Sequence, residues 1–227
     1  MINVQLKHVE FNNAIINEHC SRYLDLAGND GNPQRPDRFW IMHTLDSTPG
    51  VFTYGTKQSH DSSNIPKSIN GIEVVPQIRT GEITYHGPGQ IGWIGVMNYR
   101  RFVRQNPEFN LEELMHEFCI SINEEFHETL IYNPDDPGIY RTTGEKVLSL
   151  GVDLPGITWM ALKIGLNLHV DLNVYNNATI CGISNRSVGN LLPCMPNQDE
   201  QQRLGASILQ RFLARIYHQH RIVPWTD

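Results

Sequence analysis

Apolar residues at Leu111, Leu114, Met115, Phe118, Ile122 and Phe126 recur every third or fourth position. That spacing makes one face of a helix, so a helix is predicted over residues 111–130. Asn110 stands before it as an N-cap, and Glu113 takes the position that closes a capping box. A second helix is predicted over residues 198–218 and an early one over 12–26. Between them the pattern shortens. Residues 39–43 and 51–54 are rich in aromatic and β-branched side chains and read as strands. Runs 74–78, 83–85 and 91–96 continue the strand pattern, broken by glycines. Strand-like pieces follow at 138–140, 147–150, 159–164 and 165–172. Residues 27–38, rich in Gly, Pro, Asn and Asp, form a loop, and the polar run 59–70 forms another. Neither is long enough to separate domains. Central strands with helices before, within and after them predict one α+β domain over 1–227, a mixed β-sheet core flanked by helices.

Composition narrows the function classes. With 40% hydrophobic and 19% charged residues, the 227-residue chain can bury a core, which excludes wholesale disorder. Its longest apolar stretch covers residues 91–97, where a membrane helix needs about 20 residues. Residues 1–10 mix charge with apolar residues from the start and do not read as a signal peptide. The expectation is a cytoplasmic protein with no membrane association. Acidic residues outnumber basic ones, 24 to 18, for a net charge of −6. A nucleic-acid binder would show a basic footprint, and the arginines at 100, 101 and 104 read instead as a solvated face. The ten histidines are scattered, with His60, His116 and His127 read as surface or partly buried groups, so no metal site is expected. Cys20, Cys119, Cys181 and Cys194 include no C-x-x-C pair and make no disulfide framework. Each is first read as a small buried hydrophobe.

The least ordinary stretch is Arg79-Thr80-Gly81-Glu82-Ile83-Thr84-Tyr85-His86-Gly87-Pro88-Gly89-Gln90. Glycines allow close backbone approach and positive φ, and Pro88 fixes the chain between two of them. The spacing fits a tight strand–loop–strand that offers backbone N–H groups, Arg79 and His86 to a bound molecule. It fits an ordinary glycine hairpin equally well. It matches neither a P-loop nor a dinucleotide fingerprint.

This run resembles the R-G-G-x-x-T-Y-H-G-P-G-Q signature of the bacterial lipoyl(octanoyl) transferases, with Thr80 where that family usually has glycine. Residues 49–55, Pro-Gly-Val-Phe-Thr-Tyr-Gly, resemble the family's P-x-V-[YF]-T-x-G. Residues 137–140, Pro-Gly-Ile-Tyr, and 144–151, Gly-Glu-Lys-Val-Leu-Ser-Leu-Gly, resemble its P-G-V-[YW] and G-x-K-I-x-[AS]-[IL]-G. The resemblance covers roughly residues 40–182. It implies a biotin/lipoate protein ligase-like fold. It also implies octanoyl transfer from acyl carrier protein to a lysine of a lipoyl carrier domain, the first step of protein lipoylation. The implied acceptors are the lipoyl domains of 2-oxoacid dehydrogenase complexes and the glycine cleavage H protein. No cofactor is implied. Lys146 matches the family's lysine, and Cys181-Gly182 stands where the family has N-P-C-G, although Ala178-Thr179-Ile180 replaces the usual approach to the cysteine. By the same resemblance Arg79 to His86, Ser149, Leu150, Gly151, Gly165, Leu166 and Asn167 shape the acyl pocket. Where the family has H-G-L-A-L-N, this chain has Ile164 for the histidine, Asn167 for the alanine and His169 for the asparagine, so the pocket wall is expected to differ.

The chemistry suits such a pair. Moving an acyl group from a thioester to an amine needs a temporary carrier, and a thiolate both attacks well and leaves well. A free thiol near pKa 8.5 is mostly protonated at neutral pH, and a neighbouring cation favours the thiolate. Lys146 can be that cation, or can take the proton itself, and the sequence leaves both open. Cys194, between prolines, competes with Cys181. Three other readings stay open: an ATP-dependent lipoate- or biotin-type ligase, an acyl- or lipoyl-domain-binding relative without catalysis, and a cysteine hydrolase using His86 or His169.

Overall fold

The computed structural model describes residues 2–11, 22–23, 32, 35–56, 65–77, 83–105, 107, 110–153, 158–176, 187–217 and 219–225. Alternation of core and solvent positions builds twelve strands among them. They are β1 (Ile2–Glu10), β2 (Asp37–His43), β3 (Val51–Gly55), β4 (Ser68–Ile69), β5 (Ile72–Gln77) and β6 (Thr84–His86). Then come β7 (Gln90–Met97), β8 (Leu130–Asn133), β9 (Gly138–Arg141), β10 (Lys146–Asp153), β11 (Met160–Asn167) and β12 (His220–Ile222). Three α-helices accompany them: α1 (Tyr99–Gln105), α2 (Leu111–Phe126) and α3 (Gln198–Ile216). A 3-10 turn covers Leu172–Tyr175. Eight strands form one sheet in the order β12-β1-β2-β7-β11-β10-β9-β8, and β4-β5-β3-β6 form a smaller one. The β1 pairs with β12 and β2 are parallel, as is β3 with β5, and the remaining pairs are antiparallel. The mixed sheet and its flanking helices are as expected.

One face of the large sheet carries the core. Ile41, Ile91, Trp93, Leu148, Leu162, Ile164 and Leu166 point to α2 and α3. Phe118 stands edge-on to Trp93 at 5.2 Å and to Phe212 at 5.0 Å. The α3 helix comes close because Gly205 has no side chain: a Cβ there would lie 2.6 Å from Ile41, and its carbonyl accepts the Trp93 indole N–H at 2.9 Å.

Several boundaries differ from the sequence pattern, for physical reasons. The α2 helix opens on Asn110, whose side chain accepts the Glu113 N–H, and stops at Phe126 because His127 turns left-handed at φ 53°. Leu130 then starts a strand instead of ending the helix. Residues 160–167 form one strand, not two pieces. The β1 and β12 strands were not predicted, since Lys7, His8 and Glu10 interrupt the alternation of β1. Of the early helix expected over 12–26, only residues 22–23 are described, and they are helical. The arginine run forms α1. Arg100 and Arg104 are exposed, as expected of a solvated face, but Arg101 is not: its guanidinium lies 2.5 Å from the Asp37 carboxylate, which is 1% exposed. Asp37 also accepts the Asn98 N–H and the Tyr217 hydroxyl. Burial pushes its carboxyl up, against the opposing pull of Arg101. No helix among the described residues is long and apolar enough to cross a membrane.

Candidate functional site

The other face of the large sheet is partly open, and register explains its shape. Met42 pairs with Gly92, Gly92 with Gly165, Gly165 with Ser149, and Ser149 with Gly138. In-register neighbours point to the same face, so one row across five strands holds three glycines and one serine beside Met42. The result is a trough. A Cβ on Gly165 would meet nothing within 4 Å, so that glycine opens onto empty space. The next row, Ile94, Lys163 and Gly151, forms one bank. Phe11, Gln77, Thr84 and His86 complete the lining of this cleft, which opens to solvent. Mostly apolar walls with polar groups at the glycine-rich turn and at Ser149 suit a small ligand with an alkyl body.

The glycine-rich turn forms one end wall. Thr84 and His86 pair with Thr53 and Val51 in the small sheet. The His86 Nε2 lies 3.1 Å from the Thr53 hydroxyl, and its ring stacks on Phe11 at 5.7 Å. Tyr85 faces away, against Phe52, in the space that Gly50 and Gly87 leave for its ring. Gly89 has φ +89°, and a Cβ there would run into the His169 carbonyl. Its own carbonyl accepts the N–H groups of Leu168 and His169. Gln90 is buried and fully used. Its amide donates to the Tyr85 carbonyl at 3.2 Å and to Asn167 Oδ1 at 2.8 Å, and its oxygen accepts the Gly87 N–H at 3.2 Å. Asn167 passes the connection on to the Gly189 carbonyl at 3.2 Å. The Gly189 N–H donates to the Lys146 carbonyl, and the Lys146 N–H to the Ser187 carbonyl, both at 3.0 Å. A buried polar chain therefore links the turn to Lys146.

Lys146 does not line the trough itself, but a register shift turns it to the same face of the sheet. Ser149 and Leu148 pair with Gly138 and Ile139, but Lys146 pairs with Tyr140, leaving Val147 as an extra residue. Such a bulge turns the next side chain to the other face, and here it brings Lys146 over Gly138. A Cβ on Gly138 would collide with Lys146 Cε and lie 3.0 Å from Nζ. The ammonium thus stands at the end of the glycine row, beyond Ser149. Asp136 Oδ1 lies 3.2 Å from it, and the Tyr140 ring lies beneath it at 5.5 Å.

Among the expected pocket residues, Thr84, His86, Ser149, Leu150, Gly151 and Gly165 line the trough. Leu166 is buried in the helix-side core. Asn167 acts on Gln90 from behind the wall. Ile164 belongs to the helix-side core by strand alternation, so its replacement of a histidine changes the underside of the sheet as well as the lining. Ile83 is half-buried against the small-sheet core. Arg79, Thr80, Gly81, Glu82, Cys181 and Gly182 lie outside the described residues. Ser187, six positions after Cys181, is held to Lys146. Cys119 is buried, and burial pushes its thiol up to about 11, which fits an inert group. Cys194 is exposed. Sequence reasoning missed Asp136, Gln90, Met42, Phe11 and Gln77. Gln90 closes the quoted motif, and Asp136 immediately precedes the Pro137-Gly138 pair, so position alone was their signal.

No family model matches the chain. It is 31% identical over 175 residues to the Octanoyltransferase of Alkalilimnicola ehrlichii, an alignment that covers 75% of this chain and 73% of that protein. Its coordinates superpose on a bi-partite lipoate protein ligase of Thermoplasma acidophilum with a TM-score of 0.63 at 13% identity, over 100% of this chain and 89% of that one. Lipoate-protein ligase A bound with ATP gives a TM-score of 0.62 at 12% identity, over 100% and 90%. The two structural matches show a shared fold.

Proposed function

The chain belongs to the octanoyltransferase family, and on that premise we propose that it carries an octanoyl group from acyl carrier protein to a lipoyl-domain lysine through a thioester on Cys181. The observation that carries this reading is the glycine-floored trough whose row of in-register residues continues past Ser149 to Gly138, the residue that Lys146 covers. The acyl chain lies along the row from Ser149 toward Met42. Strands about 4.8 Å apart let roughly two strand spacings accommodate an extended eight-carbon chain. The thioester carbonyl sits at the Lys146 end.

In the first step the Cys181 thiolate attacks the carbonyl carbon of the donor thioester. A new carbon–sulfur bond forms, the donor's breaks, and the carrier leaves as a thiolate that takes a proton from water. In the second, the neutral ε-amine of the acceptor lysine attacks the acyl-Cys181 carbonyl. Sulfur departs as thiolate, and the amine's surplus proton passes to water. Each tetrahedral oxyanion needs N–H donors. Pairing between β9 and β10 ends at Ser149, so Leu150 and Gly151 have no strand on that side among the described residues and are candidates, with Gly182. Lipoyl domains of 2-oxoacid dehydrogenase complexes and the glycine cleavage H protein are the acceptors. An archaeal ligase of the same fold is described with its E2 lipoyl domain, a partner of that type. Residues 1–227 act as one cytoplasmic catalytic unit.

Incubating the chain with octanoyl carrier protein and no ATP adds one octanoyl mass, released by hydroxylamine as a thioester is. Loading only from free octanoate with ATP selects a ligase, and tight binding without an adduct selects a non-catalytic relative. Filling the trough gives a second check. Gly165→Leu excludes roughly three CH₂ groups at about 0.8 kcal/mol each, so kcat/KM for octanoyl falls about 50-fold. Butyryl transfer is spared, and the melting temperature holds because nothing lies within 4 Å of the new Cβ.

A further inference from the structure

We propose that Asp136 is a positioning residue that holds Lys146 as an ammonium over the Gly138 and Ser149 end of the trough, so that Lys146 acts by charge and not as a base. The inference rests on the transferase reading given above.

The geometry is specific to this corner. Lys146 Nζ and Asp136 Oδ1 are 3.2 Å apart, with side chains only 12% and 14% exposed, so water screens the pair little. The carboxylate is itself fixed, because the Tyr140 hydroxyl donates to its Oδ2 and lies 3.1 Å from the Asp136 carbonyl. The face of the same tyrosine supports the ammonium from below. The absent side chain of Gly138 and the bulge at Val147 complete the seat. Three features of the Asp136-Pro137-Gly138-Ile139-Tyr140 run therefore converge on one nitrogen: a carboxylate, a missing Cβ and a phenol.

A carboxylate at this distance favours the charged form of the amine. Other ionisable groups among the described residues of this corner make contacts of their own. Asp135, in the same turn, is exposed. Arg141 on β9 lies 3.8 Å from Glu128 and donates to the Asn190 carbonyl. Glu145, the residue before β10, accepts the Thr143 hydroxyl. The neighbouring segment offers the main chain of Ser187 and Gly189. Among these described groups the cation, Arg141, is turned toward Glu128 and the Asn190 carbonyl rather than toward the ammonium. A lysine held in this way cannot take the proton of the nucleophilic thiol. It stabilises the thiolate and the oxyanion by charge, and the thiol proton leaves to solvent.

Competitive labelling of the full-length chain with trace acetic anhydride, read peptide by peptide by mass from neutral to strongly alkaline pH, reports on Lys146 without needing turnover. Asp136→Asn lowers the pH of half-maximal Lys146 labelling by at least about one unit and leaves the labelling of the other lysines unchanged. Tyr140→Phe, which keeps the charge but frees the carboxylate, lowers it by less. Asp136→Glu restores most of it. In transfer assays Asp136→Asn lowers kcat with little change in KM, and its alkaline limb moves to lower pH. A Lys146 midpoint unmoved in both Asp136→Asn and Tyr140→Phe overturns the inference, whether or not the chain transfers octanoyl. A shifted midpoint in a wild-type chain that transfers nothing supports the ion pair and defeats the transferase reading instead.

Discussion

Cys181→Ser loses the octanoyl adduct and lowers transfer to a lipoyl domain by at least about 10³-fold, the scale on which removing a covalent nucleophile acts. Serine keeps the size of the side chain but not its acidity. An ammonium at the Lys146 position can hold a thiolate at neutral pH, because the thiol starts near pKa 8.5. It cannot do the same for an alkanol. The other cysteines supply the contrast. Cys119 donates to the Leu130 carbonyl beneath α2, and burial pushes its thiol up to about 11. Cys194 is exposed. Cys194→Ser therefore transfers octanoyl at the wild-type rate, and iodoacetamide at neutral pH blocks transfer through Cys181 while Cys119 is left unmodified. An octanoyl mass retained by Cys181→Ser and lost by Cys194→Ser would move the nucleophile to Cys194.

The parts of this site that were legible in the sequence are those where one residue type has a single local use. The H-G-P-G-Q run predicted a tight turn, and Gly89 at φ +89° against the His169 carbonyl is what that turn requires. Lys146 had no such local signal: only the resemblance of its Gly-x-Lys segment to the family's singled it out. Register was not legible. That Gly92 and Gly165 lie side by side, and that Ser149 and Gly138 extend their row, depends on which strands pair and on a bulge at Val147, neither of which has a local signal. Without that row the glycines looked like breaks in strands, when they are the floor of a cleft. Asp136 was hidden for a similar reason. An aspartate before a proline reads as turn chemistry, and its partner arrives from another strand. Arg101 looked solvated because its partner Asp37 lies far away in sequence. The β1 strand was obscured because Lys7, His8 and Glu10 break its alternation, yet it has neighbours on both sides in the sheet.

Lys146→Met separates what the ion pair does for the fold from what it does for the reaction. Methionine keeps the length of the side chain and its packing over Gly138 but removes the charge. Asp136 then keeps the Tyr140 hydroxyl but loses its cation, with its side chain 14% exposed. Breaking a buried pair from one side costs about 3–5 kcal/mol, which in a chain of this size lowers the melting temperature by on the order of 10 °C. Transfer falls by about 10² to 10³-fold, as when a preorganised charge is taken from a developing anion. Each effect alone would fit a merely damaged fold. The double variant Asp136→Asn/Lys146→Met resolves this, since replacing both partners removes the buried charge along with its counter-charge, which is near neutral for stability. The expected result is most of the lost melting temperature recovered, with none of the lost activity. Calorimetry and single-turnover transfer on the four proteins of that cycle check it. Activity that returns together with stability would mean that Lys146 matters only as half of a structural ion pair, and the cation required beside the sulfur would have to come from another residue.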